Sequence, residues 1–155
     1  MPYKPRLVLK IDTRETLSLR DEFREGVFDS IVDECLPFGD YWCEIDGSEV
    51  PIVFERKGFS DCFGTLTNKE RIERLKERCA EAKSVDCEFI LAIEGSMREV
   101  ANGYQHSSVD GNRVIKTIFS FWVKHGLIPM FFEDRRSMAR FIEETYTSLA
   151  RNYKK

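Results

Sequence analysis

The sequence has few residues of the types that build zinc centres and disulfide frameworks. Only two histidines are present, His106 and His125, which is too few for a histidine-based metal centre. The cysteines are five in number and include no Cys-x-x-Cys pair. We therefore expect reduced thiols rather than a zinc site or a set of disulfides. The cysteines are Cys35, Cys43, Cys62, Cys79 and Cys87.

Long apolar runs and low-complexity stretches are also absent. No apolar run approaches the roughly 20 residues that cross a membrane, and residues 1–6 lack the apolar region of a signal peptide. No repeat or Gly/Ser linker divides the 155 residues. We therefore expect a single domain over residues 1–155 that binds no membrane and acts in the cytoplasm.

An excess of positive charge is missing as well. The chain carries 24 Lys and Arg against 27 Asp and Glu, for a net charge of −3. Proteins that coat or package nucleic acid are usually basic, so this composition disfavours that class. It does not exclude a nuclease, because a catalytic metal site needs acids and a local basic surface can still bind phosphate.

The most informative stretch has the pattern of a β-hairpin. Its first arm begins at Asp40 and is rich in aromatic residues, and its second arm is β-branched and leads to Glu55. If Gly47 and Ser48 are the central residues of a two-residue turn, Asp40 lies opposite Glu55. Pro51 lies within the second arm and cannot donate a hydrogen bond to the first, so a β-bulge or a slip of register remains open.

The opposed acids of this hairpin predict a cation. Two carboxylates on directly opposed residues repel each other unless a cation lies between them. Lys57 follows Glu55 by two residues and therefore shares its face of the strand. Two acids and a lysine on one face are typical of divalent-metal phosphodiesterases. Such triplets also arise by chance, so the alternative is a surface hairpin with an incidental charged run.

A longer motif surrounds the triplet and resembles the signature of the XPF-type nuclease domain, found in the structure-specific endonucleases XPF, Mus and archaeal Hef. Residues 11–15 resemble the D-x-R-E of the family's first strand, and residues 36–41 resemble its L-P-x-G-D-Y segment. Residues 89–95 resemble its later apolar strand, which ends in E-G. The signature itself is G-D-(x)14-E-R-K-(x)3-D, formed here by Gly39, Asp40, Glu55, Arg56, Lys57 and Asp61.

The resemblance implies a fold, an activity and a metal. The fold is α/β and restriction-endonuclease-like, with a mixed central sheet flanked by helices. The activity is hydrolysis of DNA with Mg²⁺ or Mn²⁺ as cofactor. Asp40 and Glu55 would hold the metal, and Lys57 would position the attacking water or stabilise the phosphate.

Further residues are implied in supporting positions at the same site. Asp12 follows the first predicted strand and is a stronger candidate than Glu15, and Arg14 would lie near the phosphate. Asp61 would support the metal site or cap a short helix. Arg56 alternates to the opposite face of the strand from its two neighbours, which favours a structural ion pair slightly over contact with substrate.

The remaining pattern predicts a series of strands and helices. The helix at residues 68–83 carries basic and acidic residues in alternation, so it is either a solvated helix with i,i+4 ion pairs or a surface for DNA. Arg71 and Arg74, near its start, are the better candidates for DNA contact. The other predicted elements are a strand at 7–11, a short helix or loop to 26 followed by a strand, a strand at 87–93, a short helix capped by Ser96, a helix at 114–125 with Phe121 and Trp122 in the core, a strand at 127–132, and a last helix capped by Ser137.

The expected partners are branched or flapped DNA and a second copy of the chain. The family cuts 3′-flap and fork-like structures during repair, recombination or replication, and it works as dimers, so we expect a homodimer that uses apolar residues of the last two helices. These residues include no tandem helix-hairpin-helix module of the kind that many relatives carry, so we expect the stand-alone version found in bacteria or phage-infected hosts, and the preferred DNA structure stays open. The alternatives are a Holliday-junction resolvase, a less selective nuclease, or a non-catalytic DNA-binding subunit; an RNA substrate also stays open.

Overall fold

The computed structural model describes residues 2–153 and contains a six-stranded sheet. The strands are β1 (Leu7–Asp12), β2 (Ser30–Glu34), β3 (Tyr41–Ile45), β4 (Ser48–Lys57), β5 (Glu88–Glu94) and β6 (Leu127–Phe132). Their order in the sheet is β2-β1-β3-β4-β5-β6. The β1–β3 and β3–β4 pairs are antiparallel, and the other three pairs are parallel. The sheet is therefore mixed, as predicted.

Five α-helices accompany the sheet in the described residues, and a short 3₁₀ turn at Arg20–Glu22 precedes β2. The helices are α1 (Phe59–Thr65), α2 (Lys69–Ser84), α3 (Met97–Asn102), α4 (Gly111–His125) and α5 (Arg135–Arg151). Helices α2 and α4 contact each other, and α5 contacts both β5 and β6. None of these helices is both long and apolar enough to cross a membrane.

The hairpin of β3 and β4 turns one residue earlier than predicted. Asp46 and Gly47 are the central turn residues, with φ of 53° and 83°, as the primed turns of hairpins require. The prediction of Gly47 and Ser48 was therefore wrong, because Asp-Gly is the stronger turn pair. Near the site the predicted register is correct all the same, since Tyr41 pairs with Phe54.

A β-bulge reconciles the two ends of this hairpin. The register shifts between Trp42 and Glu44 of β3, and the β3–β4 pairing omits residues 50–52 of β4. Pro51 lies in this segment, which is unpaired with β3, and it has no N–H to contribute to the ladder. Its side chain is exposed. The bulge that was left open by the sequence is thus present, and it restores the register that brings Asp40 beside β4.

Gly39 is the residue that lets the chain enter β3 at this point. Its φ is 76°, and a Cβ atom there would lie 2.5 Å from Val53 Cγ2 and 3.1 Å from the carbonyl oxygen of Phe54. Side chains rarely tolerate either condition. The next residue, Asp40, donates its backbone N–H to the same Phe54 carbonyl at 2.7 Å, which places its side chain beside the end of β4.

The predicted helix boundaries are close to those observed, but two details are wrong. Asp134, rather than Ser137, caps α5, accepting the Ser137 N–H at 2.7 Å. Trp122 is 48% exposed, whereas Phe121 is buried as predicted. The 3.6-residue period fits two neighbouring stripes of α4, and packing selected the one without Trp122. The buried stripe is Gly111, Val114, Ile118 and Phe121.

The predicted caps of α3 and α4 are confirmed. Ser96 forms a full capping box with Glu99 at the start of α3, and Gly126 ends α4 with φ of 76°. All five cysteines are free thiols. Four are buried, and burial raises the pKa of Cys43, Cys62 and Cys87 to about 12. These thiols are therefore unreactive core residues.

Candidate active site

The predicted site residues meet where three inner strands of the sheet begin or end. Asp12 ends β1, Asp40 directly precedes β3, and Lys57 ends β4. In the order β1-β3-β4 these three strand ends are neighbours, so they surround a polar cavity of about 260 Å³. Every residue predicted for catalysis lines this cavity, namely Asp12, Arg14, Asp40, Glu55, Arg56, Lys57 and Asp61.

Asp40 and Glu55 are carboxylates of the same cavity that remain incompletely satisfied. Asp40 accepts the Arg56 N–H at 2.7 Å, but burial, followed by the negative charge of Glu55, raises the pKa of Asp40 well above its usual value. Glu55 is 2% exposed, and its Oε2 is a buried oxygen with no hydrogen-bond partner among residues 2–153. A buried acceptor without a donor is unfavourable, so this pair favours binding of a cation.

Lys57 and Arg78 lie against the other oxygen of Glu55. Lys57 Nζ is 3.2 Å and Arg78 NH1 is 3.5 Å from Glu55 Oε1. Burial disfavours the charged form of Lys57, but the carboxylates of Glu55 and Asp40 outweigh it and raise the pKa of the lysine. Lys57 is therefore a cation at neutral pH, suited to stabilising negative charge on a phosphate.

The donor set fits a hard divalent cation. Mg²⁺ is usually held by one or two carboxylates, with water and substrate phosphate completing its octahedron. Asp40 and Glu55 supply two carboxylates, and Glu55 Oε2 has no competing hydrogen bond. Within the described part of the chain, no group of three or more His, Cys, Asp and Glu could hold a metal. The residues thus fit Mg²⁺ or Mn²⁺ bound jointly with substrate.

Asp12 and Arg14 form a self-contained pair at the same cavity. Arg14 donates to both Asp12 oxygens, at 2.9 and 3.1 Å, and to the Leu36 carbonyl at 2.7 Å. The Leu36 N–H donates to Asp12 at 2.9 Å. Burial alone would raise the pKa of Asp12, but these hydrogen bonds lower it below its usual value. Asp12 therefore orients Arg14 and has little capacity left for a metal.

Arg56 is the centre of a buried ion-pair network. Its guanidinium donates to both Glu15 oxygens, at 2.9 and 2.8 Å, and to Glu94 at 2.8 Å. Arg135 also donates to Glu94, at 3.0 Å, and to the carbonyl of Ser18. These contacts fit the structural ion pair favoured by the sequence. Glu94 and Arg135 were missed, because only tertiary packing brings them to Arg56.

Asp61 lies at the exposed rim of the cavity, in the first turn of α1. Its Oδ2 would be 3.1 Å from a Cβ atom placed on Gly58, so the glycine leaves room for this carboxylate. The charge of Asp61 also contributes to the raised pKa of Lys57. This position suits a supporting residue better than a direct metal ligand.

Arg71 and Arg74 line a second cavity, of about 240 Å³, that we call the arginine cavity. It shares Lys57, Thr65 and Arg78 with the polar cavity, so the two are contiguous. Neither Arg71 nor Arg74 has an ion-pair partner among the described residues, and within α2 the single ion pair there is Lys76 with Glu73. The ion-paired alternative is therefore poorly supported. Arg78 was missed, although its spacing from Arg71 and Arg74 places all three on one helix face.

Comparison with known proteins identifies the family. Residues 11–145 match the ERCC4 domain, and the chain therefore belongs to the ERCC4 domain family. This confirms the resemblance to XPF-type nuclease domains. Comparison with curated proteins found no match.

Two solved structures are similar to this chain. One is XPF from Aeropyrum pernix, with a TM-score of 0.66 and 22% identity over 94% of this chain. The other is XPF from Aeropyrum pernix in complex with DNA, with a TM-score of 0.62 and 23% identity over 95% of this chain. The chain spans 64% of the length of each. The shared fold confirms the restriction-endonuclease-like prediction.

Proposed function

We propose that this chain is a divalent-metal-dependent DNA endonuclease that acts as a single XPF-type domain in the cytoplasm. The observation that carries the proposal is the buried Oε2 of Glu55, which has no hydrogen-bond partner in residues 2–153 and lies in the same cavity as Asp40. When bound by these two residues, Mg²⁺ or Mn²⁺ would supply Lewis-acid activation of the phosphate and of water.

The chain's own residues supply positioning and charge. Lys57 is held in its cationic form by the two carboxylates, so it can orient the attacking water or stabilise the negative charge that develops on the phosphate. Arg14, held by Asp12, presents a second cation to the cavity. Asp61, at the rim of the cavity, adds a negative charge that helps to keep Lys57 protonated. Arg56 fixes the end of β4 through its ion pairs.

The arginine cavity supports a nucleic-acid substrate. Arg71, Arg74 and Arg78 line it next to Lys57, so a strand whose phosphate lies at the carboxylates would bring a neighbouring phosphate to the arginines. We propose branched or flapped DNA, of the 3′-flap or fork type, cut during repair, recombination or replication. The XPF from Aeropyrum pernix in complex with DNA has the same fold and supports DNA as the substrate.

We further propose a homodimer formed beside the free edge of β6. This strand is the last in the sheet, and Trp122 and Val123 on the neighbouring helix α4 are 48% and 83% exposed. Exposed apolar residues beside an open strand edge are a common basis for subunit contacts. Sedimentation of the wild type and of Trp122→Ser would test this, with dissociation of the variant as the expected result.

The experiment that tests the nuclease proposal is cleavage of end-labelled 3′-flap, 5′-flap, four-way junction, duplex and single-stranded DNA. It compares wild type with Mg²⁺ or Mn²⁺, wild type with chelator, and Lys57→Ala. Lys4→Ala is the matched control, because this exposed lysine precedes the start of β1, at the opposite end of that strand from Asp12. We expect metal-dependent cutting near the branch, lost with chelator and in Lys57→Ala and retained in Lys4→Ala.

Two results would contradict the proposal in different ways. Cutting of all five DNAs at similar rates would leave a nuclease without structure selectivity. Binding without cutting in either metal would instead indicate a non-catalytic subunit, despite the presence of Asp40, Glu55 and Lys57.

A further inference from the structure

A groove between α2 and α4 carries positive charge that the proposed active site does not use. It has a volume of about 390 Å³, and none of its lining residues is acidic. Ile72 and Lys76 contribute the α2 side. At 3.6 residues per turn they lie on a different face of the helix from Arg71 and Arg74. The groove is therefore a separate surface from the arginine cavity.

The charge on α4 is unbalanced. Residues 111–125 contain three Lys or Arg and no Asp or Glu, although the chain as a whole has a net charge of −3. Arg113, Lys116 and Lys124 have no ion-pair partner in the part of the chain that the structure describes, and Lys76 has one, Glu73, at 3.0 Å. Unpaired like charges on one surface repel each other, so an anion lying in the groove is favoured.

The spacing of these cations matches an extended polyanion. Arg113, Lys116 and Lys124 fall on one face of α4, with the hydroxyl residues Thr117 and Ser120 between them. Eleven residues of helix span about 16 Å, comparable with the rise of about five base pairs at 3.4 Å each. A single phosphate would occupy only part of this length.

His125, at one end of the groove, is surrounded by lysines. Burial, followed by the charges of Lys76, Lys83 and Lys124, lowers the pKa of this histidine. Lys83 also lies over the end of α4, since its Cε would be 3.1 Å from a Cβ atom placed on Gly126. Cations from both helices therefore act on one end of the groove.

We infer that this groove binds the phosphate backbone of a double-stranded DNA arm that extends from the cleavage site, an inference that rests on the proposed function. Sites for single strands offer exposed aromatic rings on which bases stack. Phe121 lines the groove, but its ring is only 4% exposed, and Trp122 lies on another face of α4. The groove therefore offers its cations to the phosphates of DNA and no exposed phenyl or indole ring for base stacking.

The test is the salt dependence of duplex binding in chelator, where no cleavage interferes. Fluorescence anisotropy of a labelled 30-base-pair duplex would compare wild type, Lys116→Ala/Lys124→Ala, and the control Lys4→Ala/Arg6→Ala, which removes the same charge from exposed residues preceding β1. The slope of log K against log salt is negative, and loss of two phosphate contacts should make it less steep by about 2. At about 100 mM salt we expect at least tenfold weaker binding than the control, with an unchanged melting temperature.

Three outcomes would be decisive. Equal slopes and affinities in the groove variant and its control would overturn the inference. It would also be overturned if the groove variant bound duplex normally but lost self-association in sedimentation, because the groove would then be a protein contact. Wild-type protein that bound duplex through the groove but cut no DNA with Mg²⁺ or Mn²⁺ would support the groove and contradict the proposed nuclease.

Discussion

The candidate active site contains two acidic regions with opposite electrostatic balance. Asp12 is surrounded by donors, namely the Arg14 guanidinium and the Leu36 N–H, and its pKa is lowered. Asp40 shares its surroundings with Glu55, and its pKa is raised. Both regions line one cavity. The difference separates a carboxylate that the protein already compensates from a pair that the proposed metal would compensate.

Asp12 has a structural role, and the Asp40–Glu55 pair has the proposed chemical role, although all three residues line the same cavity. A carboxylate whose hydrogen bonds are filled by its own chain contributes to folding and holds its partner in place. A buried carboxylate pair that includes an oxygen without a hydrogen bond lowers stability, and a bound metal can reverse that loss.

The largest expected effect is on cleavage. Asp40→Asn should reduce the cleavage rate at least about 1,000-fold, equivalent to about 4 kcal/mol, because the amide cannot supply the second charged metal ligand. It can still accept the Arg56 N–H, so the fold should persist. Single-turnover cleavage of a 3′-flap DNA is the measurement, with the exposed Asp21→Asn as control. A rate within tenfold of wild type would remove Asp40 from the metal site.

The next effect concerns the glycine that positions Asp40. Gly39→Ala should lower the free energy of unfolding by roughly 2–4 kcal/mol, because it combines a left-handed φ with overlap against Val53. Gly26→Ala is a matched control, since its φ is 82° but no atom lies within 4 Å of the added Cβ. We expect that control to cost about 1 kcal/mol. Urea unfolding of both variants provides the comparison; equal losses would mean that packing at Gly39 contributes nothing.

Metal binding should distinguish the two regions without any DNA. At 100 times its dissociation constant, Mg²⁺ or Mn²⁺ should stabilise the wild type by about 2.7 kcal/mol. Asp40→Asn should lose this gain and Asp12→Asn should keep it. Because a proton on Asp40 competes with the metal, the gain should shrink as the pH falls through the raised pKa of Asp40. Thermal melts at several metal concentrations and pH values would check this; a gain retained in Asp40→Asn would contradict it.

The smallest effect concerns the free energy of unfolding without metal, which we expect to fall in Asp12→Asn and to rise in Asp40→Asn. Asp12→Asn should cost about 2 kcal/mol at neutral pH, because it removes the charged partner of Arg14. The pKa of Asp12 is lowered by folding, so its contribution is present above the unfolded value of about 3.9 and is lost as the pH falls through the folded value.

Asp40→Asn should instead raise metal-free stability by about 1 kcal/mol. The pKa of Asp40 is raised by folding, so the contribution of Asp40 itself to wild-type stability is most favourable below the unfolded value of about 3.9 and is lost as the pH rises through the folded value. The advantage of Asp40→Asn should therefore grow with pH. Urea unfolding in chelator from pH 4 to pH 8 would measure both variants; a loss of stability in Asp40→Asn at pH 8 would contradict the comparison.

The sequence predicted the meeting of Asp40, Glu55 and Lys57 because it depends on local rules. Strand alternation places Glu55 and Lys57 on one face, and hairpin pairing brings Asp40 to them. The turn was placed one residue late, yet the bulge around Pro51 restored the register at the site. Arg78 could have been found from its helical spacing with Arg71 and Arg74.

The buried network around Arg56 could not be predicted in the same way. Glu15 is 41 residues before Arg56, Glu94 is 38 residues after it, and Arg135 is a further 41 residues on. Pairing over such separations depends on strand order and helix packing, which no local pattern specifies. The exposure of Trp122 was missed for a similar reason, since periodicity alone fits two adjacent stripes of α4.

The Arg56 network also bears on when the protein becomes competent during its synthesis. Glu15 emerges early from the ribosome, but Arg135 lies in the last helix and must reach Glu94 before the network closes. β4 is likewise unpaired on one side until β5 has been made. We therefore expect a nascent chain to expose an incomplete site, and the proposed DNA cutting to require that nearly the whole domain has been translated and folded.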